Sequence, residues 1–234
     1  MKSKIFITAL IFSIVLFSQK EISAFPNWIK TSSDLKSFKL QMLSEDDWTL
    51  CYESDKIYIY ERWLKKPNGV PIRERKGVMV VNSNVANAVF SITNVDAQKK
   101  WMKNVQTSRL IAKKSDTCWY TYTLFGLPWP LDNRDVVSEN HLKTTKSGDY
   151  AEININSVNN LVKEYEGISR INNYKASWVI KKVNETKIII TFTASSDSQQ
   201  IAPAIVLDPI MRKTFQKNLL NLRNLLEVKL LVKM

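Results

Sequence analysis

Along the chain, apolar positions change period several times, and each change marks an element. Asp34 to Asp47 carries Leu35, Phe38, Leu40, Met42 and Leu43 at helical spacing behind Ser33, a suitable N-cap, and predicts a first helix. From Trp48 the period falls to two. Trp48–Cys51, Ile57–Trp63 and Arg73–Val81 read as three antiparallel strands, with Lys66 to Gly69 as the turn between the second and third. Asn84–Thr93 returns to helical spacing through Val85, Ala88, Val89 and Ile92, and Asp96–Met102 extends it as a second short helix near Trp101. Six more strands follow at Val105–Lys113, Thr117–Phe125, Arg134–Thr144, Tyr150–Ser157, Tyr174–Val183 and Lys187–Ser195.

The last segment, Pro203–Val228, is a long amphipathic helix. Leu207, Met211, Phe215, Leu219, Leu222 and Leu226 form its apolar stripe, opposite Arg212, Lys213, Lys217 and Arg223. Pro203 and Pro209 fall near its start, where proline is best tolerated. Nine strands and one long helix make an α+β plan: a curved antiparallel sheet wrapped around the C-terminal helix, able to leave an internal hydrophobic cavity.

The N-terminus alters this picture in one respect. Lys2 and Lys4 precede an apolar run from Ile5 to Phe17, then polar Ser18 to Glu21, then Ala24 before Phe25 and Pro26. This is a signal-peptide layout. The run rises only about 20 Å as a helix against roughly 30 Å of hydrocarbon, so a permanent anchor is the poorer reading. We expect residues 1–24 to be removed, residues 25–234 to form one domain, and the product to be periplasmic or secreted. Loss of three lysines and one glutamate with the leader takes the formal charge from +12 to +10. A balance so basic makes an anionic membrane surface a candidate partner; export disfavours nucleic acid, and a monomer is expected.

Candidate chemistry is sparse. Cys51 and Cys118 are too few for a disulfide scaffold and are expected as buried thiols. With one histidine, His141, and no cluster of Cys or His along the chain, a zinc site of usual composition is not expected, and His141 reads as an ordinary strand residue. No nucleophile stands beside a base, so no catalytic residue and no cofactor is assigned.

The segment Leu127-Pro-Trp-Pro-Leu-Asp-Asn-Arg-Asp-Val-Val137 resembles the proline-rich turn and Arg-Asp strand opening of the steroidogenic acute regulatory protein related lipid-transfer (START) domains. Trp48 with Ile57 to Arg62, Trp101, and Ile201 to Pro203 before the last helix support the resemblance in order, from Asp34 to Val228. It implies a helix-grip fold whose sheet and C-terminal helix surround one lipid, sterol or other hydrophobic small molecule, and with no catalytic constellation among the residues, binding without enzymatic activity is expected. Two departures stand out: Ser195 to Gln200 lacks glycine, and Thr117 to Phe125 lacks the carboxylate that some relatives place opposite the arginine.

Arg134 is therefore the residue of most interest. By alternation it shares a face with Val136 and Ser138, and Asp135 shares the other with Val137 and Glu139. If Arg134 points inward, Tyr120, Tyr122, water or an anionic ligand head must compensate it; otherwise it pairs with an acid such as Glu152 or faces solvent. Trp101 and Trp178 are candidate pocket aromatics, and Leu207, Met211 and Phe215 the candidate helix face over the ligand. Two further readings remain: an enzyme like the polyketide cyclases and aromatases that share the helix-grip fold, and a partner-binding module whose core is filled.

Overall fold

In a computed structural model, residues 47–54, 56–66, 69–127, 132–196 and 204–231 are described. The expected first helix, the leader and most of the proline-rich turn lie outside them. The described residues begin with three strands, β1 (Thr49–Glu53), β2 (Ile57–Lys66) and β3 (Gly69–Asn82), followed by α1 (Val85–Thr93) and α2 (Val95–Trp101). Asn84 starts α1 by accepting a hydrogen bond from Asn87 N–H at 2.8 Å, and Asn94 starts α2 by accepting from Asp96 and Ala97. Then come β4 (Val105–Ser115), β5 (Cys118–Phe125), β6 (Asn133–Thr144), β7 (Tyr150–Ser157), β8 (Ile168–Arg170), β9 (Lys175–Lys182), β10 (Lys187–Ser195) and the long α3 (Ala204–Leu231).

All nine expected strands are present, and β8 is an addition. Three residues are too few to carry a period, and β8 exists because it pairs parallel with Asn133–Asp135 of β6, beyond the point where β7 stops pairing at Ser138. Strand order is β1-β2-β3-β10-β9-β7-β6-β5-β4, antiparallel along that path. A sheet so ordered brings the first three strands beside the last, so its continuity depends on pairing between β3 and β10 from Glu74 to Asn82.

The inner face presents Ile57 and Ile59 from β2, Met79 and Val81 from β3, Ile188, Ile190 and Phe192 from β10, Ile180 and Trp178 from β9 and Ile153 from β7, all buried. Against them lie Leu219, Leu222 and Leu226 of α3, each 2% exposed or less. The expected stripe holds for that half of the helix but not for its start: Met211 is 41% exposed. There the inward line runs instead through Asp208 and Arg212, which bond to the sheet. Polar ties hold the flanks. Asn221 donates to the Trp101 carbonyl at 3.0 Å, Asn218 to Asn104 Oδ1 at 3.0 Å, and Asn82 donates to Glu227.

The helix approaches the sheet most closely at Gly77 of β3. A Cβ there would run into Leu219 Cδ1 and come within 2.9 Å of Phe215 Cε1. Ile59 of β2 and Phe192 of β10 flank Gly77 in register, so the helix sits in a slot between larger residues. Gly77→Ala should therefore destabilise the fold by about 1–3 kcal/mol through overpacking, despite the better intrinsic behaviour of alanine in strands. Urea unfolding checks this; unchanged stability would mean that α3 is free to shift outward.

Candidate functional site

Between the inner face and the helices, Trp101 of α2 meets Trp178 of β9 edge-on at 5.8 Å, Trp178 stacks on Phe192 at 4.0 Å, and Phe192 stacks on Phe215 of α3 at 5.3 Å. The Trp101 indole N–H donates to the Ser91 carbonyl at 3.1 Å, which orients the ring. Beside this row lies a cavity of about 40 Å³, bordered by Trp101, Trp119, Ile153, Tyr174, Trp178 and Phe192, with Asn140 and Gln98 as polar lining. A buried water needs about 10–15 Å³ of such space, so the cavity holds a few waters at most. The internal cavity expected from the sequence is thus present only in small form among the described residues, because the aromatic row fills the space.

The β5–β6 register assigns faces. Trp119 lies opposite Asn140, Thr121 opposite Ser138, Thr123 opposite Val136 and Phe125 opposite Arg134. These share the inner face, since Trp119 and Asn140 border the cavity. Arg134 therefore stands on the inner face, at the end of the sheet where β6 begins. It is half-buried; burial holds its guanidinium below its ordinary range, and Asp132 opposes the shift.

Tyr120 and Tyr122 are on the other side. They lie opposite Glu139 and Val137, one residue out of phase with Arg134, and the Tyr120 hydroxyl donates to Glu139 Oε1 at 2.8 Å. Their expected help to Arg134 is thereby corrected: side-chain alternation turns them to the outer face. Glu152 is likewise an outer-face residue, accepting hydrogen bonds from Tyr150 and Asn154. Asp135, 1% exposed, is held by Arg170 of β8 through Nε at 2.6 Å and Nη2 at 3.1 Å. Arg170 also donates to the Val162 carbonyl, and Tyr165 packs edge-on against Tyr122 at 6.0 Å. Burial, then the Asp135 charge, push the Tyr122 hydroxyl up to about 12. The Arg-Asp pair thus divides its tasks: Arg134 faces inward, and Asp135 anchors residues 158–170 over the outer face.

Of the other candidates, Trp101, Trp178 and Phe215 belong to the aromatic row, Met211 is exposed, and Leu207 is partly buried outside the cavity lining. Sequence reasoning missed a charge network at the start of α3. Glu61 of β2, 4% exposed, accepts from Arg73 Nη1 at 2.6 Å, Arg75 Nε at 3.0 Å and Arg212 Nη2 at 2.8 Å. Asp208 bridges Arg73 at 2.7 Å and Arg75 at 2.9 Å. Three guanidinium groups against two carboxylates leave one positive charge at this end of the inner face. The signal was available, because Glu61, Arg73 and Arg75 all fall on the inner phase of their strands.

Burial pushes Glu61 up, but the Arg212 hydrogen bond and the charges of Arg75, Arg212 and Arg73 hold it at about 2. A carboxyl whose folded pKa lies below its unfolded value contributes stability above the unfolded pKa and loses it as pH falls through the folded one. Glu61→Gln should thus cost about 3–5 kcal/mol at pH 7. Its deficit relative to wild type should persist down to about pH 4.5 and shrink below that, toward 2. Denaturant melts across that range check this; a deficit independent of pH would remove the ionic explanation.

No family model matches the chain. An uncharacterized protein of Pseudomonas aeruginosa is 23% identical over 153 residues, which span 65% of this chain and 73% of that protein. Among solved structures, the STAR-related lipid transfer protein of Xanthomonas axonopodis (fragment 25–204) is similar at TM-score 0.67 and 24% identity, covering 77% of this chain and 99% of its own. Human StAR-related lipid transfer protein 5 is similar at TM-score 0.68 and 18% identity, covering 83% and 94%. With its large antiparallel sheet and C-terminal helix, the chain has the helix-grip fold of the START lipid-transfer domains.

Proposed function

We propose that this protein is an exported, non-enzymatic carrier that holds one lipid or similar hydrophobic molecule between the inner face of the sheet and α3. The observation that carries the reading is the aromatic-lined cavity at the centre of a helix-grip fold. Apolar walls with a few polar groups, here Asn140 and Gln98, are what an amphipathic ligand requires. Drug-sized ligands occupy roughly 300–1,000 Å³, so a lipid tail takes space now held by Phe192, Phe215 and Trp178, whose side chains must turn aside.

Arg134 and the arginines around Glu61 put positive charge on the inner face at one end of the sheet, which favours a ligand with an anionic head. A fatty acid is then preferred over an uncharged analogue, with Arg134 contacting its carboxylate through a charge-assisted hydrogen bond. Arg134→Met keeps the stem and deletes the charge. Titration followed by native mass spectrometry and tryptophan fluorescence should show one palmitate per chain, with Arg134→Met binding at least tenfold more weakly and methyl palmitate unaffected by the substitution. Equal loss for both would assign Arg134 a structural role. Absence of any bound lipid, in titration and in organic extracts, would favour the filled-core partner module, and a chemically altered product would favour the enzyme.

Export rests on the Lys2-to-Ala24 layout. Protein recovered from its native cells should begin at Phe25 and fractionate outside the cytoplasm; a cytoplasmic protein retaining Met1 would overturn this.

A further inference from the structure

On the outer face of β5 and β6, away from the cavity, the register brings together two pairs of side chains that stand about twenty residues apart in the chain. Cys118 lies opposite His141 and Tyr120 opposite Glu139. Cys118 Sγ is 3.6 Å from Glu139 Oε1 and 3.8 Å from His141 Nε2, and His141 Nε2 is 3.2 Å from Glu139 Oε2. The thiol is free and buried, whereas the His141 side chain is 45% exposed, so the group is open to solvent from one side.

These separations are those of a metal's ligand shell. Zinc bonds of about 2.3 Å to sulfur and about 2.0 Å to nitrogen and oxygen, at tetrahedral angles, put donor atoms about 3.3–3.6 Å apart. One donor atom from each residue lies within 4.8 Å of the other two, so one ion fits among the three after side-chain shifts of up to about an ångström, including a turn of the Glu139 carboxylate, whose Oε1 faces the sulfur and Oε2 the nitrogen. The donor set is selective as well: thiolate and imidazole favour borderline-soft transition metals, whereas magnesium and calcium prefer oxygen alone. The Tyr120 hydroxyl, donating to Glu139 Oε1 at 2.8 Å, holds that oxygen and leaves Oε2, which faces His141, as the oxygen for an ion, a supporting contact of the kind ligands have.

We propose that Cys118, His141 and Glu139 form a binding site for one thiophilic divalent transition metal of the zinc type, with solvent at the fourth position. The thiol proton passes to solvent as the metal–sulfur bond forms. Nothing in the chain's linear spacing signals this site, because its ligands come from two strands whose pairing register sets which residues meet. It is independent of lipid carriage, since its side chains project from the opposite face of the sheet.

The test uses the purified protein, reduced with a phosphine, stripped with EDTA and desalted. Titrated Co²⁺ should bind at one per chain and produce thiolate-to-cobalt charge-transfer absorption in the near ultraviolet, and Zn²⁺ should abolish it by displacement. Cys51→Ser should retain the band and Cys118→Ser should lose it. His141→Ala, at a half-exposed position that does not endanger folding, should weaken Co²⁺ at least tenfold, as should Glu139→Gln. A band that survives Cys118→Ser, no band with Co²⁺ in excess, or unchanged affinity in folded His141→Ala would each overturn the site.

Discussion

The contact on which the rest depends is that of α3 against the inner face of the sheet at Gly77. A curved sheet with an apolar concave side leaves a large area facing water unless something long and apolar covers it, and among the described residues only α3 has the length. Leu219, Leu222 and Leu226 supply the cover, and each fully buried leucine contributes about 1.5–3 kcal/mol relative to exposure. The absence of a side chain at Gly77 lets the helix axis come close enough for Leu219 and Phe215 to reach the sheet. Phe215 then completes the aromatic row with Phe192 and Trp178. The size of the central cavity is accordingly a consequence of how deeply the helix is seated.

The two halves of α3 are held by different forces. Beyond Phe215 the attachment is mainly hydrophobic, through Leu219, Leu222 and Leu226, with hydrogen bonds of Asn218, Asn221 and Glu227 at its flanks. Before it, Asp208 and Arg212 bind the sheet through Arg73, Arg75 and Glu61. A buried ion network repays its desolvation only when each member is paired, and Glu61 with three guanidinium partners meets that condition. Such a junction is directional, since it fixes the rotation of the helix about its axis where apolar contacts alone would tolerate sliding.

The two faces of β5 and β6 show how one strand pair serves two environments. The inner face offers Trp119, Thr121, Thr123 and Phe125 to the interior, and the outer face offers Cys118, Tyr120 and Tyr122. Burial of Asp135 beneath residues 158–170 explains why an outer-face carboxylate is as inaccessible as the core. That segment needs an anchor because its only strand, β8, is three residues long, and the bidentate Arg170 contact to Asp135 supplies one.

Period-two and period-3.6 patterning determined nine strands, two short helices, the C-terminal helix and the α+β plan, because each of those elements is long enough for its apolar face to repeat. The proline-rich turn and Arg-Asp opening identified the fold, and strand alternation correctly separated Arg134 from Asp135. What tertiary structure decided is what depends on neighbours. The stripe Leu207, Met211, Phe215 is as regular as Asp208, Arg212, Phe215, since adjacent helix positions differ by only about 100°, and the partners Glu61, Arg73 and Arg75 selected the polar line. Tyr120 and Tyr122 were assigned to the wrong face because relative phase between two strands is set by register, which the hairpin's pairing alone defines. The meeting of Cys118, Glu139 and His141 has the same origin: ligands contributed by two paired strands have no fixed sequence spacing, so only their pairing brings sulfur, nitrogen and oxygen within reach of one ion.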